Sequence, residues 1–116
     1  MSSIVRPPSS QRWLIPHVHR LFRVALFHTH EAVEKFLKAI WVESRNEQPE
    51  KTHNLPYLAK ELGIELSQSQ RGFLRKLYWE LIPSRYPEGS EPDRPTVEWY
   101  YEEARSLISW LRKMLK

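Results

Sequence analysis

Residues 17–45, HVHRLFRVALFHTHEAVEKFLKAIWVESR, contain neither glycine nor proline and decide the fold of this chain. Their apolar side chains recur every three to four positions, as they do on one face of a helix. Glu31 with Lys35 and Glu34 with Lys38 are i,i+4 pairs in the favourable order, and each pair stabilises a helix by about 0.2–0.5 kcal/mol. A second apolar strip, formed by Val24, Phe27 and Trp41, widens the apolar surface beyond one face. We therefore predict a long helix that is central in a bundle or shared with a partner.

The rest of the chain predicts one short helix and two longer ones. Thr52 or Asn54 can cap a short helix over residues 55–62. The sequence SQSQ at residues 67–70 has the form of a capping box, which opens a third helix to about residue 81. Thr96 is the expected cap of a last helix that ends near residue 115. No segment alternates as a strand does, so we predict an all-α fold, a small bundle of three long helices and one short helix.

The composition excludes several kinds of site. The chain has 116 residues, three glycines and no cysteine. Disulfides, thiolate metal sites, cysteine nucleophiles and glycine-rich phosphate loops are thereby excluded. The longest apolar runs have four residues, whereas a membrane-spanning helix needs about twenty. Because the lack of cysteine fits a reducing compartment, we expect a cytoplasmic location.

The net charge of +4 belongs to the start of the chain. Residues 1–23 hold four arginines and no acid, whereas the remaining residues hold 14 basic and 14 acidic side chains. Residues 1–16 also contain three prolines and four serines without a periodic apolar pattern. We therefore predict a basic N-terminal arm over residues 1–16, followed by a helical domain over residues 17–116. Such an arm either contacts nucleic-acid phosphates or serves solubility alone.

Three segments resemble, in the right order, the motifs of the HEPN family, helical domains named for nucleotide binding in higher eukaryotes and prokaryotes. The segments are FHTHEAVEKFLKA at residues 27–39, KTHNL at residues 51–55 with Leu58, and IPSRYP at residues 82–87. The resemblance covers about residues 22–115 and implies a bundle that commonly dimerises through its long helices. It also implies a partner, because HEPN domains often occur beside minimal nucleotidyltransferases. The opening helix usual in the family is missing or shortened here.

In many such pairs the HEPN protein is an RNA-cleaving toxin and the nucleotidyltransferase is its antitoxin. The nuclease members use an Arg-x4–6-His motif, typically on a late helix. Here Arg85 has no histidine five to seven residues later, and no histidine follows His53. Arg23 and His28, nearer the N-terminus, have the spacing of this motif. They would lie about 140° apart around a helix, so they do not share a face. Whether the chain is an enzyme therefore stays open.

Two histidines are candidate catalytic residues. His28 shares a predicted helix face with Glu31 and Lys35, so it can act as a general acid or base while the lysine stabilises phosphate charge. The alternative is a packing histidine beside a solvated ion pair. His53 is the second candidate, and its alternative role is to order the connection near a helix start by bonding to the backbone.

Ser84, Arg85 and Tyr86, together with Lys35 and Lys38, are the candidate nucleotide- and phosphate-binding residues. The prolines that flank the Ser-Arg-Tyr triplet restrict its backbone. Arginine offers a planar fork for phosphate, tyrosine a stacking face, and serine a further donor. If a nucleotidyltransferase is the partner, the Tyr86 hydroxyl is a possible nucleotide acceptor. The alternative is a structural role, in which Arg85 pairs with a carboxylate on a helix and Tyr86 packs into the bundle.

No metal and no cofactor are expected. His30 and Glu34 at i,i+4 supply two ligands, fewer than a metal site needs. The leading hypothesis is a homodimeric HEPN-like domain that binds nucleotide or RNA phosphate and partners a nucleotidyltransferase in a toxin–antitoxin-type pair. The alternatives are a metal-independent endoribonuclease toxin that acts as a dimer and a non-catalytic helical interaction module.

Overall fold

The computed structural model describes residues 14–81 and 92–115, with side chains described from Leu21 onward. These residues form four α-helices and no strand, so the predicted all-α fold is confirmed. The helices are α1 (Leu14–Arg45), α2 (Leu55–Glu61), α3 (Gln68–Trp79) and α4 (Arg94–Leu111), and a 3-10 turn (Arg112–Met114) follows α4. None of the described helices is both long enough and apolar enough to cross a membrane.

The first long helix begins earlier than predicted. It starts at Leu14 instead of residue 17, so Pro16 lies in its first turn, where the missing N–H has no helical partner to lose. The last three residues of the predicted arm are therefore helical. Residues 1–13 lie outside the described residues, as do Ser84, Arg85 and Tyr86.

The helix caps agree with the sequence at two starts and differ at the third. Asn54 caps α2, and the Ser67–Gln70 capping box of α3 has both of its hydrogen bonds. The predicted cap of α4, Thr96, is wrong. The cap is Asp93, whose carboxylate accepts a hydrogen bond from the Thr96 backbone N–H at 2.9 Å. That hydrogen bond holds the pKa of Asp93 below its usual value.

The core lies where α1 packs along α4 and where α2 packs against α3. Trp41 from the second apolar strip of α1 is buried in it, but Phe27 from the same strip is half exposed. The wide apolar surface of α1 is thus only partly covered within the described chain. The most deeply buried apolar side chains are Val33, Leu37, Leu55, Leu58, Leu74, Leu77 and Leu111.

Candidate functional site

A buried carboxylate on α1 gathers the polar side chains of the site. Glu34 is 8% exposed, and its Oε1 accepts a hydrogen bond from His53 Nδ1 at 2.8 Å. Its Oε2 accepts a hydrogen bond from Lys38 Nζ at 3.0 Å. His30 Nδ1 lies 3.6 Å from Oε1, one helical turn back along α1. We call Glu34, His53, Lys38 and His30 the Glu34 cluster.

Local hydrogen bonds hold the connection that carries His53. Asn46 turns the chain out of α1 with a positive φ of 51°, a conformation that asparagine tolerates better than most residues. Glu47 then accepts a hydrogen bond from Trp41 Nε1 at 3.2 Å. On the other side of His53, the Asn54 backbone N–H donates to Thr52 Oγ1 at 3.1 Å. These contacts and the α2 cap place His53 over Glu34.

Two members of the cluster have shifted pKa values. Burial disfavours the charged form of Glu34, but hydrogen bonds from His53 and Lys38 and the attraction of their charges outweigh burial, so the pKa of Glu34 falls below its usual value. Burial lowers the pKa of His30, against the opposing pull of Glu34. His30 is 2% exposed, and its Nε2 is buried without a hydrogen-bond partner among the described residues. A neutral imidazole suits that position.

The hydrogen bond to Glu34 determines what His53 can do. Because Nδ1 donates to the carboxylate, the neutral ring carries its proton on Nδ1 and keeps Nε2 as an acceptor. The His53 side chain is 75% exposed. This arrangement can accept a proton from a bound group, or donate to a phosphate oxygen once the ring is protonated. The alternative prediction, that His53 bonds to the backbone, is not the arrangement observed.

His28 and Lys35 form a separate, exposed pair around Glu31. His28 Nδ1 lies 3.3 Å from Glu31 Oε1, and Lys35 Nζ lies 3.8 Å from Glu31 Oε2. The three side chains therefore share one face, as the spacing predicts. His28 lies at the surface and is not a packing histidine. No described hydrogen bond or ion pair joins this group to His53.

The structure thus separates the candidate residues instead of bringing them into one site. Lys38 joins His53 through Glu34, whereas Lys35 joins His28 through Glu31. Both lysines are already paired with carboxylates on their own helix, which reduces the charge they present to a phosphate. The phosphate-binding roles of Ser84, Arg85 and Tyr86 stay predictions, because these residues lie outside the described ranges.

Sequence reasoning missed the central role of Glu34. The i,i+4 spacing of Glu34 to Lys38 and of His30 to Glu34 is visible in the sequence, but His53 lies 19 residues further on. Only the fold of the connection brings them together. No group of three or more histidine, cysteine, aspartate or glutamate side chains in residues 14–81 and 92–115 could hold a metal ion.

Comparison with known proteins identifies the family. The model of the HEPN domain matches residues 17–114, most of the chain. Comparison with curated proteins and with solved structures gave no match. The match includes α2, α3, α4 and nearly all of α1, and it contains every member of the Glu34 cluster. The chain therefore belongs to the HEPN domain family.

Proposed function

We propose that this protein binds nucleotide or RNA phosphate. The observation that carries the proposal is the exposed His53 imidazole, held at 2.8 Å by a buried carboxylate and flanked by Lys38. A ring held in one orientation loses little freedom when it binds, so a phosphate oxygen gains a positioned donor there. The four arginines of residues 1–23 add sequence-independent attraction for a polyanion.

The proposed biological role is that of a partner to a minimal nucleotidyltransferase in a toxin–antitoxin-type pair. Family membership supports this role, because HEPN domains often occur beside such enzymes. The Tyr86 hydroxyl is the proposed acceptor if the partner transfers a nucleotide. Mass spectrometry of the chain after co-expression with the partner tests this assignment, and an unmodified Tyr86 would contradict it.

We also propose that the protein is a homodimer that associates through α1. Leu21, Val24 and Phe27 are all exposed and lie within an arc of about 120° around α1. Exposed apolar groups along one helix lose water contact when a second copy covers them. The adjoining groove between α1 and α4 carries both acidic and basic side chains, so two copies can pair opposite charges across it. Its charged lining residues include Glu98, Glu102, Arg105 and Arg112.

A second candidate function is RNA cleavage without a metal ion. The pairing of His53 with Glu34 favours it, because a carboxylate that orients an imidazole is a recurrent way to prepare a general base. The base would take the proton of a ribose 2′-hydroxyl, whose oxygen then attacks the adjacent phosphorus. The bond to the 5′-oxygen breaks and that oxygen takes a proton from water, so the products are a 2′,3′-cyclic phosphate and a 5′-hydroxyl. His28, paired with the more exposed Glu31, is the weaker candidate for this role.

RNA binding is tested by fluorescence anisotropy with a labelled single-stranded oligonucleotide over a range of salt concentrations. Lys38→Gln and Lys113→Gln each remove one positive charge, but only Lys38 belongs to the Glu34 cluster. We expect Lys38→Gln and His53→Gln to weaken binding several-fold, and Lys38→Gln to reduce the salt slope by less than the value of about 0.7 for a full phosphate contact, because Glu34 already pairs with Lys38. Equal effects of Lys38→Gln and Lys113→Gln would contradict a site at this cluster and favour a non-catalytic interaction module.

Cleavage is tested separately, in the presence of EDTA, by analysing the ends of the products. The nuclease hypothesis expects 2′,3′-cyclic phosphate ends and a loss of rate of about 100-fold or more in His53→Ala. His28→Ala is the matched control. Intact RNA after incubation with the wild-type protein would exclude this hypothesis and leave the binding proposal standing.

A further inference from the structure

The helix α3 has two unlike faces. Its inner face supplies three buried apolar side chains to the core. Its outer face lines a groove of about 890 Å³ between α3 and α4, which shares no residue with the Glu34 cluster. The α3 residues in the groove follow the spacing i, i+3, i+4 and i+7, so they form one stripe along the helix. They are Gly72, Arg75, Lys76 and Trp79.

Two exposed tryptophans line this groove, one from each helix. Trp79 is 54% exposed and Trp99 is 43% exposed. Trp99 is held in place by edge-on contacts with Phe73 at 5.8 Å and Tyr100 at 5.0 Å between ring centroids. Tryptophan is enriched among the residues that contribute most to protein–protein binding, and a fixed ring loses little freedom when a partner covers it. The pair therefore marks an interaction surface.

The charge of the groove favours an acidic partner. Arg75 and Lys76 are exposed, and neither forms an ion pair with a carboxylate among the described residues. Glu80 also lines the groove, but one of its carboxylate oxygens is buried and the other accepts a hydrogen bond from the Tyr100 hydroxyl at 2.8 Å. The two cations therefore dominate the charge that a partner meets.

Gly72 opens the groove down to the backbone of α3. Glycine is less favourable than alanine inside a helix. Gly72 does not have a positive φ, and a Cβ built on it would meet no atom within 4 Å. Neither the backbone nor the packing of the described residues therefore requires glycine at this position. A glycine in the stripe does allow a second chain to approach the helix closely.

These features suit a protein segment better than a nucleic acid. Single-stranded nucleic acid binds where open ring faces accompany a groove of cations that follows the phosphates. Here Lys76 Nζ lies over the Trp99 ring, 5.4 Å from its centre, and the described residues of the groove include only two cations. An apolar side chain needs no stacking face, and two carboxylates suffice to pair with Arg75 and Lys76.

We propose that the groove between α3 and α4 docks an acidic segment of a partner protein. An apolar side chain of the segment packs against Trp79 and Trp99, its carboxylates pair with Arg75 and Lys76, and its backbone lies against Gly72. This surface goes beyond the proposed function, which assigns an interface to α1 and none to α3.

The test is a selection of peptides from a phage-displayed random library on the full chain. We expect the enriched sequences to combine aspartate or glutamate with leucine, phenylalanine or tryptophan. Enriched peptides are then synthesised, and their affinities for the wild type and for variants are measured by calorimetry. Selection that yields no acidic sequence would overturn the proposal.

Two variants locate the docking of the selected peptides. Arg75→Glu reverses a charge in the groove and should weaken binding about tenfold or more. Lys113→Glu is the matched control, because it reverses an exposed charge outside the groove, and it should change binding little. Trp79→Ala should also weaken binding about tenfold or more. Equal affinities for the wild type, Arg75→Glu and Trp79→Ala would overturn the groove as the docking site.

Gly72→Ala separates docking from folding. The added methyl group has free space and alanine favours the helix, so the variant should melt at the same temperature as the wild type or higher. The methyl group would occupy the floor of the groove, so we expect the peptides to bind several-fold more weakly. A variant that binds them as the wild type does would overturn the placement of the segment against α3.

The same variants distinguish the other occupants. If Arg75→Glu and Trp79→Ala weaken a single-stranded RNA oligonucleotide but not the peptides, the groove binds nucleic acid and the proposal fails. If Arg75→Glu lowers the mass measured by light scattering, the occupant is a second copy of this chain and the proposal also fails. His53→Gln should leave peptide binding unchanged. RNA binding that is insensitive to His53→Gln would contradict the proposed function without affecting the docking surface.

Discussion

Glu34 on α1 and His53 in the connection before α2 are 19 residues apart in sequence and share a hydrogen bond of 2.8 Å. The same carboxylate accepts a hydrogen bond from Lys38 and lies 3.6 Å from the buried His30. One glutamate therefore anchors a connection and orients an exposed imidazole. Stability and the proposed phosphate site therefore both depend on Glu34.

Replacing Glu34 by glutamine should destabilise the fold more than the same change at Glu31. The Glu34→Gln side chain keeps the size but loses the charge to which His53 and Lys38 donate, and such a loss at a buried position costs about 1–3 kcal/mol. Glu31 is more exposed, and exposed ion pairs contribute about 0–1 kcal/mol. Urea denaturation gives the free energy of unfolding of Glu34→Gln and of Glu31→Gln. Equal free energies of unfolding for the two variants would show that Glu34 is not a structural centre.

Acid should destabilise the protein through His30. Its pKa in the folded state is lowered from 6.5 by burial, so below pH 6.5 the unfolded chain takes up a proton that the folded chain resists. This contribution to stability is complete above pH 6.5 and is lost as the pH falls toward the folded pKa, by at most about 1.4 kcal/mol per pH unit. Glu34, also with a lowered pKa, loses its contribution in a separate range below pH 4.5.

The measurement is the free energy of unfolding from pH 7.5 to pH 5 for the wild-type protein and His30→Gln. The groups that face His30 are Glu31, Glu34 and His53, with the Tyr78 ring 6.4 Å away, and they are present in both proteins. We expect the stability of the variant to change less over this range than that of the wild type. Parallel pH profiles would mean that His30 is not the group responsible.

Loss of the α3 cap should destabilise the protein moderately. Ser67 Oγ accepts a hydrogen bond from the Gln70 backbone N–H at 3.0 Å, so Ser67→Ala leaves that donor without its partner. The expected cost is about 0.5–2 kcal/mol. Ser69→Ala, within the first turn of the same helix, is the control and should be nearly neutral or slightly stabilising. Thermal unfolding of both variants makes the comparison, and equal melting temperatures would contradict a contribution from the cap.

Charge placed at Phe27 should prevent the proposed dimer. Phe27 is half exposed on α1, and Phe27→Glu would bring two carboxylates into an apolar interface. Light scattering coupled to size-exclusion chromatography should give a dimer for the wild type and a monomer for Phe27→Glu. Met114→Glu, at an exposed apolar residue outside α1, should remain a dimer. A wild-type monomer would remove the α1 interface from the proposed function.

Local features of the fold could be read from the sequence because their causes lie within a few residues. The Ser67–Gln70 capping box needs only a spacing of three, and the apolar face of α1 needs only the helical repeat. The sequence does not identify the start of α4 because Asp93 and Thr96 are both residues that cap helices, and they lie only three positions apart. Asp93 accepts the hydrogen bond, and Thr96 supplies the N–H.

The exposed tryptophans show the limit of composition as a guide. A small bundle needs aromatic side chains inside, and Trp41 is buried as this reasoning expects. Trp79 and Trp99 have the same chemistry but face the groove between α3 and α4. Residue type does not distinguish these positions, because burial depends on which helix packs against which face.

The sequence by itself determined the helical class, the helix faces and two of the three caps, and it carried three motifs of the HEPN family. All of these depend on interactions between residues close in the chain, whose geometry the helical repeat dictates. Only the tertiary structure decided that Glu34 meets His53 and that Glu80 meets Tyr100. Those contacts span 19 and 20 residues, and they form because packing of whole helices brings distant side chains to one point.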